Sequence, residues 1–341
     1  MLPMSHSSTS SRPRARRTAR GAGSSRQPRR LRASRQGAVH RRRPSRRGPS
    51  RGARGSGGLV HSPLGIVVGA FLVTVLVALL VLRLAGREEV GLGQEPAGGP
   101  APVVPDTEGF DATRLIDDEV FYDSEAMSLA QVEAFVSEVN SGCVPGLDGT
   151  PCLAQATFEI EHREPSSWCP RPVSASSGGS AALVVWEVAR ACDVNPQVLL
   201  VLVHKEQGLL TASGASLSAR DYEAAAGYGC PDGADCDGQW SGFFLQLYGA
   251  ASQFQRYRLD PGGYDVVAGV PAEVSYSPQA ECGSARLTVA NQATAGLYNY
   301  TPFQPNEAVS VGGDGCTSWG NWNFYGYFRT FFGDPTPSRS S

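Results

Sequence analysis

One stretch of the sequence divides the chain into two parts of opposite charge. Residues 64–82 are nineteen amino acids without a charged side chain, and a helix of about 20 apolar residues spans the hydrocarbon core of a bilayer. Residues 1–60 hold 17 arginines and no Asp or Glu, whereas residues 61–341 hold 13 basic and all 32 acidic side chains. The sequence therefore predicts a transmembrane helix over residues 64–84, with segments of different character on its two sides.

The arginines predict the orientation of this helix. Basic segments beside a transmembrane helix stay in the cytoplasm, so the N-terminus is expected there and the chain after Arg87 is expected outside the membrane. A cleaved signal peptide is the alternative, but its apolar region is normally shorter and closer to the N-terminus. We therefore expect a single-pass protein of the cell membrane with an extracytoplasmic C-terminal domain.

Low-complexity segments predict disorder on both sides of the helix. Residues 1–60 consist mainly of Arg, Ser, Gly and Pro, so they cannot bury enough apolar surface to fold alone. We expect a solvated cytoplasmic tail, which could also contact anionic lipid head groups or, weakly and without specificity, nucleic acid. Residues 85–107 are a Gly/Pro-rich linker, and residues 335–341 are predicted to form a second disordered tail.

All eight cysteines lie on the side predicted to be outside the membrane. An even number confined to an exported segment indicates disulfide bonds, and zinc is the weaker alternative because no C-x-x-C pair occurs. Eight cysteines allow 105 connectivities. The close pairs 143/152 and 230/236 are local guesses, and the pairs 169/192 and 282/316 would complete a sequential pattern. The residues are Cys143, Cys152, Cys169, Cys192, Cys230, Cys236, Cys282 and Cys316.

Helix signals dominate the exported part. Ser128 is a predicted helix cap, with Gln131 as its capping-box partner. Asn195 is predicted to cap a second helix, in which Pro196 fits the first position. Gly208 is predicted to end that helix.

Further helical patterns and few strand patterns set the predicted fold class. Helices are predicted at 181–192, 247–257, 292–300 and 319–333, and one short strand at 285–289. The predicted class is mainly α with long disulfide-tied loops. We expect a loop-rich subdomain over 108–179 and a helical domain over 180–334.

Glu206 closes an apolar helix and is the candidate catalytic residue. Helical spacing puts it on one face with Leu202 and Val203, whereas His204 and Lys205 are expected to point elsewhere. An apolar setting favours the protonated form of a carboxyl group, which suits a general acid in glycoside cleavage. The alternative is a carboxylate that pairs with a nearby Arg or frays into solvent at the helix end.

The motifs around Glu206 resemble those of lytic transglycosylases and goose-type lysozymes. In those families a glutamate, then Ser and a nearby Gly, closes the first core helix; this chain has Gln207 in place of the serine. A loose match to their G-L-M-Q-like turn follows at 226–229, and a Tyr-Asn step at 298–299 matches their A-Y-N-A-G-like helix end. The resemblance covers about residues 180–332 and implies a lysozyme-like fold.

A closer resemblance is to exported actinobacterial proteins described as haemagglutinin-like or hypothetical. It covers roughly residues 121–333. The name of this family is descriptive and does not imply an activity. The matching strings are N-P-Q-V-L-L-V at 195–201, K-E-Q-G at 205–208, G-Y-G-C-P-D at 227–232, G-F-F-L-Q-L-Y at 242–248 and Y-N-Y-T-P-F-Q-P-N at 298–306.

The lysozyme-like resemblance implies a single-carboxylate mechanism. Glu206 would protonate the glycosidic oxygen and then act as base, helped by the N-acetyl group of the substrate. Aromatic rings often form platforms for sugars, so Tyr228 and Trp240 are candidate substrate-binding residues. Tyr298 and Asn299 could orient the substrate or Glu206, and Gln207 completes the predicted substrate-binding set.

Three aspartates near the fifth and sixth cysteines raise the question of a metal. Asp232, Asp235 and Asp237 lie inside or beside a probable small disulfide loop, and hard cations such as calcium take clustered carboxylates. Their spacing is not that of an EF-hand, and a polar loop of turn-forming residues explains them as well. We predict no metal and no cofactor.

The leading functional hypothesis is cleavage of peptidoglycan glycan strands by a membrane-anchored domain. The first alternative is a non-catalytic module that binds cell-wall glycan or another surface ligand on a degenerate lysozyme-like fold. The second is a structural adaptor for envelope assembly. The partners expected are peptidoglycan or another cell-wall glycan, and membrane lipid through the transmembrane helix and basic tail.

Overall fold

A computed structural model describes residues 99–230 and 236–337 of the chain. The predicted cytoplasmic tail, the transmembrane helix over 64–84 and most of the linker lie outside the described residues. Within those residues, the helices are too short or too polar for any of them to cross a bilayer.

Helices dominate the described part, as predicted, and two small antiparallel sheets accompany them. Four disulfides tie the loops, so the coarse prediction of a helix-rich, disulfide-stabilised domain is confirmed. The helices are α1 (Asp118–Phe121), α2 (Leu129–Val139), α3 (Ala181–Ala191), α4 (Pro196–Gln207), α5 (Ala219–Glu223), α6 (Phe243–Leu259), α7 (Gln292–Tyr300) and α8 (Gly320–Phe332). The strands are β1 (Thr157–Ile160), β2 (Ser176–Ser180), β3 (Ala272–Ser275) and β4 (Ser284–Leu287).

Helix α4 is the buried centre of the fold and carries the candidate catalytic residue at its end. Asn195 caps it, Pro196 occupies its first turn, and Gly208 ends it with a left-handed φ of 66°. Every residue from Val198 to His204 is buried, as expected for a helix covered on all sides. It packs against α3 and α8, so its last turn is held firmly from two directions.

The other helices build the core around α4. Helix α3 packs against α2 and α6, and α6 packs against α7. Contacts between α2 and α3 cross the predicted subdomain boundary at residue 180. Phe254 of α6 stacks on Tyr300 at the end of α7, with ring centroids 4.8 Å apart, which brings the end of α7 close to the core beneath it.

The strands form two separate hairpin-like sheets. The predicted strand at 285–289 corresponds to β4, which pairs with β3 in an unbroken register from Ala272–Leu287 to Ser275–Ser284. Pairing of β1 with β2, irregular between Phe158 and Ile160, was not predicted. The sequence of β2 is Ser-Ser-Gly-Gly-Ser, which has low strand propensity because it offers few side chains to pack.

The disulfides follow the sequential pattern. The bonded pairs are Cys143–Cys152, Cys169–Cys192, Cys230–Cys236 and Cys282–Cys316, which confirms both the local guesses and the pairs that complete them. The described residues contain no free cysteine.

One helix start differs from the prediction for a physical reason. Helix α6 begins at Phe243, four residues before the predicted start at residue 247. The residue before the helix is Gly242, whose φ of 109° is one that residues other than glycine rarely adopt. Glycine has no side chain that could cap the helix. Without a Ser, Thr, Asp or Asn signal, the sequence pattern gave no marker for the first turn.

The cap of α4 yields a stability prediction. Asn195 is 1% exposed; its side chain accepts from the Gln197 backbone and donates to the Val120 carbonyl, both at 2.8 Å. Replacing Asn195 by Ala loses the cap and leaves a buried carbonyl without this donor, which should cost about 2 kcal/mol. Thermal unfolding of the full-length chain should shift down by about 6 °C. Ser128→Ala, at an exposed cap, should cost about half as much; equal losses would contradict this account.

Burial of His204 yields a pH prediction. The imidazole is 6% exposed and lies against Tyr327 and Phe331 of α8, with ring centroids 4.5 and 5.4 Å away. Burial lowers the pKa of His204 to about 4, whereas the unfolded chain binds that proton near pH 6.5. Proton binding therefore favours unfolding. The neutral imidazole contributes about 3 kcal/mol to the free energy of unfolding above pH 6.5, and this contribution is lost as the pH falls through 4.

This loss is measurable as melting temperature against pH. Wild type should lose about 3 kcal/mol more than His204→Leu between pH 7 and pH 4. His162 is exposed, and its contact with Glu164 raises the pKa of His162, so this pair gains stability at low pH. His162→Leu should therefore keep the loss between pH 7 and pH 4, which only His204→Leu should remove. Parallel curves for wild type and His204→Leu would mean that His204 does not titrate as its burial requires.

Candidate functional site

Glu206 lies at the edge of a groove beside the end of α4. The groove has a volume of about 540 Å³, and the Glu206 side chain is 25% exposed. The carboxylate is therefore neither sealed inside the core nor remote from a cavity. The described residues that line the groove are Lys205, Glu206, Gln207, Gly227, Cys230, Asn299, Tyr300, Thr301, Pro302 and Phe303.

Lys205 contacts Glu206, contrary to the expectation that it points elsewhere. Its Nζ lies 2.5 Å from Oε1 of Glu206 and donates a hydrogen bond of 2.9 Å to Oγ1 of Thr301. The Lys205 side chain is only 6% exposed. Neighbouring residues on a helix project about 100° apart, but the long stem of lysine closes that angle, so helical spacing alone could not reveal the pair.

Gly227 faces the other oxygen of the Glu206 carboxylate. A Cβ at this position would lie 3.2 Å from both Cδ and Oε2 of Glu206, and the backbone φ of +69° itself favours glycine. The turn that contains Gly227 therefore approaches the carboxylate without placing a side chain on it. Oε2 has no hydrogen-bonding partner among the residues that the structure describes, so a ligand in the groove could supply one.

Tyr300 forms a neutral wall of the groove. Its hydroxyl donates to the Ala226 carbonyl at 2.7 Å. Burial first, and the nearby charge of Glu206 second, raise the pKa of Tyr300 well above its ordinary value. Its phenol therefore stays uncharged at neutral pH and does not compete with Glu206 for protons.

Three of the predicted substrate-binding residues line the groove or the cavity beside it: Gln207, Tyr228 and Asn299. Gln207 lines the groove, although its side-chain amide donates to the Ala224 carbonyl at 3.1 Å. Tyr228 lines an adjoining cavity of about 400 Å³ that shares Gly227 and Tyr300 with the groove. The two cavities therefore adjoin at Gly227 and Tyr300.

Trp240 supports Tyr228 rather than lining either cavity. The two rings meet edge to face with centroids 4.9 Å apart. Gly249 leaves room for the Tyr228 ring, since a Cβ there would lie 2.2 Å from it. The arrangement holds the Tyr228 ring in place, as a platform for a sugar requires. Trp240 therefore acts on the site only through Tyr228.

Tyr298 and Asn299 are not positioned to orient Glu206. Tyr298 is 1% exposed and its hydroxyl donates to the Ala112 carbonyl, so its ring belongs to the core. Asn299 lines the groove, but its amide donates to and accepts from the backbone of Val266, at 2.8 and 3.0 Å. The Tyr-Asn step thus anchors the end of α7 in this structure.

The candidate calcium residues lie mostly outside the described part. Asp232 and Asp235 fall in the gap at 231–235, and the carboxylate of Asp237 accepts from the Gln239 backbone as a local cap. Among the described residues, no three His, Cys, Asp or Glu side chains come together in a way that could hold a metal ion.

Sequence reasoning missed Lys205, Thr301 and Gly227. One signal was available for the first of these: Lys205 is the only lysine among 30 basic residues of the chain. Thr301 and Gly227 carry no comparable signal, because their importance depends on how the loops after α5 and α7 approach the end of α4.

The Lys205–Glu206 pair yields a testable coupling. Glu206→Gln leaves a nearly buried ammonium without its anion, which should destabilise the full-length chain by about 2 kcal/mol. The double variant Lys205→Met/Glu206→Gln removes both charges and should lie within about 1 kcal/mol of wild type. Thermal unfolding of wild type, Lys205→Met, Glu206→Gln and the double variant measures the coupling. Simple addition of the single losses would show that the two charges do not interact.

Comparison of the chain with protein-family models, with curated proteins and with solved structures finds no match. What the groove does must therefore be argued from the residues that form it.

Proposed function

We propose that the groove binds a glycan strand of the cell envelope and that Glu206 is the acid/base residue that cleaves it. The observation that supports this most directly is the position of Glu206. A carboxylate at the end of a buried helix lines a cavity of about 540 Å³, with one oxygen facing the bare backbone of Gly227. A glycosidic oxygen could reach that oxygen without meeting a side chain.

A single carboxylate favours transglycosylase-type or substrate-assisted chemistry over inversion. An inverting glycosidase needs a second carboxylate about 6.5–9.5 Å from the acid. Glu206 is the only acidic side chain among the described residues that line the groove. In the proposed reaction, Glu206 protonates the leaving oxygen and then removes a proton from the sugar hydroxyl or water that completes the step.

The ion pair restricts how Glu206 can act as the acid. The ammonium of Lys205 lies 2.5 Å from Oε1 of Glu206. The proton given to the glycosidic oxygen would therefore be carried on Oε2, the oxygen that Lys205 does not contact.

The wider setting of the proposal is a membrane-anchored, lysozyme-like domain outside the cytoplasm. Four disulfides among the described residues support an oxidising compartment. The uncharged segment at 64–82 and the arginines before it support a single anchor with a cytoplasmic N-terminus, in contact with membrane lipid. Peptidoglycan is the glycan that such a domain would meet in the envelope.

Binding of a cell-wall glycan without cleavage is the second candidate. The observation that favours it is again the contact between Lys205 and Glu206, since a carboxylate held by an ammonium can serve as a structural ion pair rather than as a catalytic group. In this case the groove would hold the strand while the domain served as a surface adhesion module or an envelope adaptor.

Substitution of Glu206 separates the two candidates. The full-length chain should release soluble muropeptides from peptidoglycan, and Glu206→Asp should reduce the rate at least about 100-fold, because a shorter side chain misplaces the proton. Glu206→Asp keeps the charge beside Lys205, so its melting temperature should stay close to that of wild type. The measurement is muropeptide release by chromatography and mass spectrometry.

A glutamate outside the groove provides the control. Glu187 of α3 is half-buried, and Glu187→Gln should release muropeptides at the wild-type rate. Equal release by wild type and Glu206→Asp would exclude Glu206 as the acid/base residue. Pull-down of peptidoglycan without release by any of the proteins would instead support the binding function.

A further inference from the structure

The one lysine of the chain is buried in the candidate site. The chain uses arginine at 29 of its 30 basic positions and lysine only at 205. The Lys205 side chain is 94% removed from solvent, since its exposed fraction is 6%, yet it lines the groove beside Glu206. A buried ammonium is costly, so each of its hydrogen bonds matters to the site.

The hydrogen bonds of Lys205 leave one donor for a ligand. An ammonium has three N–H groups. Among the described residues it has two partners, Oε1 of Glu206 at 2.5 Å and Oγ1 of Thr301 at 2.9 Å. The third N–H has no partner within the described residues, and the groove is the space that this side chain borders.

We propose that Lys205 determines specificity by donating its third N–H to the acetamido carbonyl oxygen of an N-acetylated sugar. This inference rests on the proposed function, because it requires a glycan in the groove. It adds the chemical feature that the groove recognises and the residue that recognises it. Lys205 then places that sugar beside the free carboxylate oxygen of Glu206.

The electrostatics of the pair favour a neutral acceptor over an anion. Glu206 already balances the charge of Lys205 at 2.5 Å, so the pair as a unit is neutral. Residues 61–341 hold 32 acidic and 13 basic side chains, and this excess repels polyanions. Among the neutral groups of a polysaccharide, an amide carbonyl is a stronger acceptor than the ring and glycosidic ether oxygens, and unlike a hydroxyl it does not also donate. It therefore satisfies an ammonium more fully than those groups do.

The acceptors around the ammonium suit lysine better than arginine. Gly320 at the start of α8 packs against Thr301, and a Cβ there would lie 2.4 Å from Thr301 Cγ2 and 3.9 Å from Lys205 Nζ. A planar guanidinium with five N–H groups needs more room and more acceptors than a compact ammonium. Lysine at this position therefore fits a site with two protein acceptors and one ligand acceptor.

Two tetrasaccharides with the same linkage test the proposal. Chitotetraose carries an acetamido group on each ring, and cellotetraose carries a hydroxyl in its place. The full-length chain should bind chitotetraose at least about 10-fold more tightly than cellotetraose in calorimetric titrations, since a hydrogen bond from a charged donor is worth that factor or more. Lys205→Met should reduce the preference to less than about 3-fold, mainly through weaker binding of chitotetraose.

A matched variant controls for charge. Arg286 on β4 is exposed and lies outside the groove, and Arg286→Met removes one positive charge from the same domain. It should keep the wild-type preference for chitotetraose. Loss of the preference in Arg286→Met as well as in Lys205→Met would assign the effect to net charge and overturn the proposal.

A measurement on wild type covers the case in which Lys205→Met does not fold. With lysine labelled at ¹³Cε, the full-length chain gives a single lysine side-chain resonance, because Lys205 is the only lysine. Chitotetraose should shift this resonance with the same saturation as in calorimetry, and cellotetraose at equal concentration should not. If the chemical shift of this resonance stays unchanged while chitotetraose binds, the proposed role of Lys205 is overturned.

The outcomes separate this inference from the proposed cleavage. Muropeptide release by wild type without any preference between the tetrasaccharides overturns the role of Lys205 and leaves cleavage standing. A preference that depends on Lys205, without muropeptide release, supports the inference and assigns the groove to binding. Failure to bind either tetrasaccharide overturns the inference whether or not peptidoglycan is cleaved.

Discussion

The contact between the ammonium of Lys205 and the carboxylate of Glu206 is the interaction on which the candidate site depends. Removing two charges from water costs several kcal/mol per ion unless each finds partners. The end of α4 therefore needs Thr301 as a second acceptor and a turn at Gly227 that leaves the carboxylate room. The loops after α5 and α7 meet here, and the caps and packing of α4 hold the pair at their junction.

The same contact gives the two carboxylate oxygens of Glu206 different tasks. Oε1 is held by the ammonium of Lys205, whereas Oε2 is left to exchange a proton with a ligand. A ligand that accepts the third N–H of Lys205 then lies beside Oε2, so the residue that binds the sugar also places it against the carboxylate.

Much of the scaffold could be predicted from sequence, whereas the centre of the site could not. Caps at Ser128 and Asn195 are local signals, because each acts on a backbone N–H two or three residues away, and all four disulfides follow the sequential pattern. The pairing of β1 with the Gly/Ser-rich β2 depends on tertiary contacts. Lys205 was assigned away from Glu206 by helical spacing, which ignores the reach of a long side chain. Tyr298 matches the tyrosine of the A-Y-N-A-G-like motif in sequence, but in the structure its ring is buried in the core.

Chemical acylation of the single lysine tests the central claim most directly. The full-length chain is treated with a small acylating reagent, and the modification at Lys205 is followed by peptide mass spectrometry. A side chain that is 6% exposed and paired with Glu206 should react at least about 10-fold more slowly than lysine in a short peptide, because a buried amine meets the reagent only when the site opens. Reaction at the rate of the free peptide would show an exposed, unpaired lysine and contradict the account.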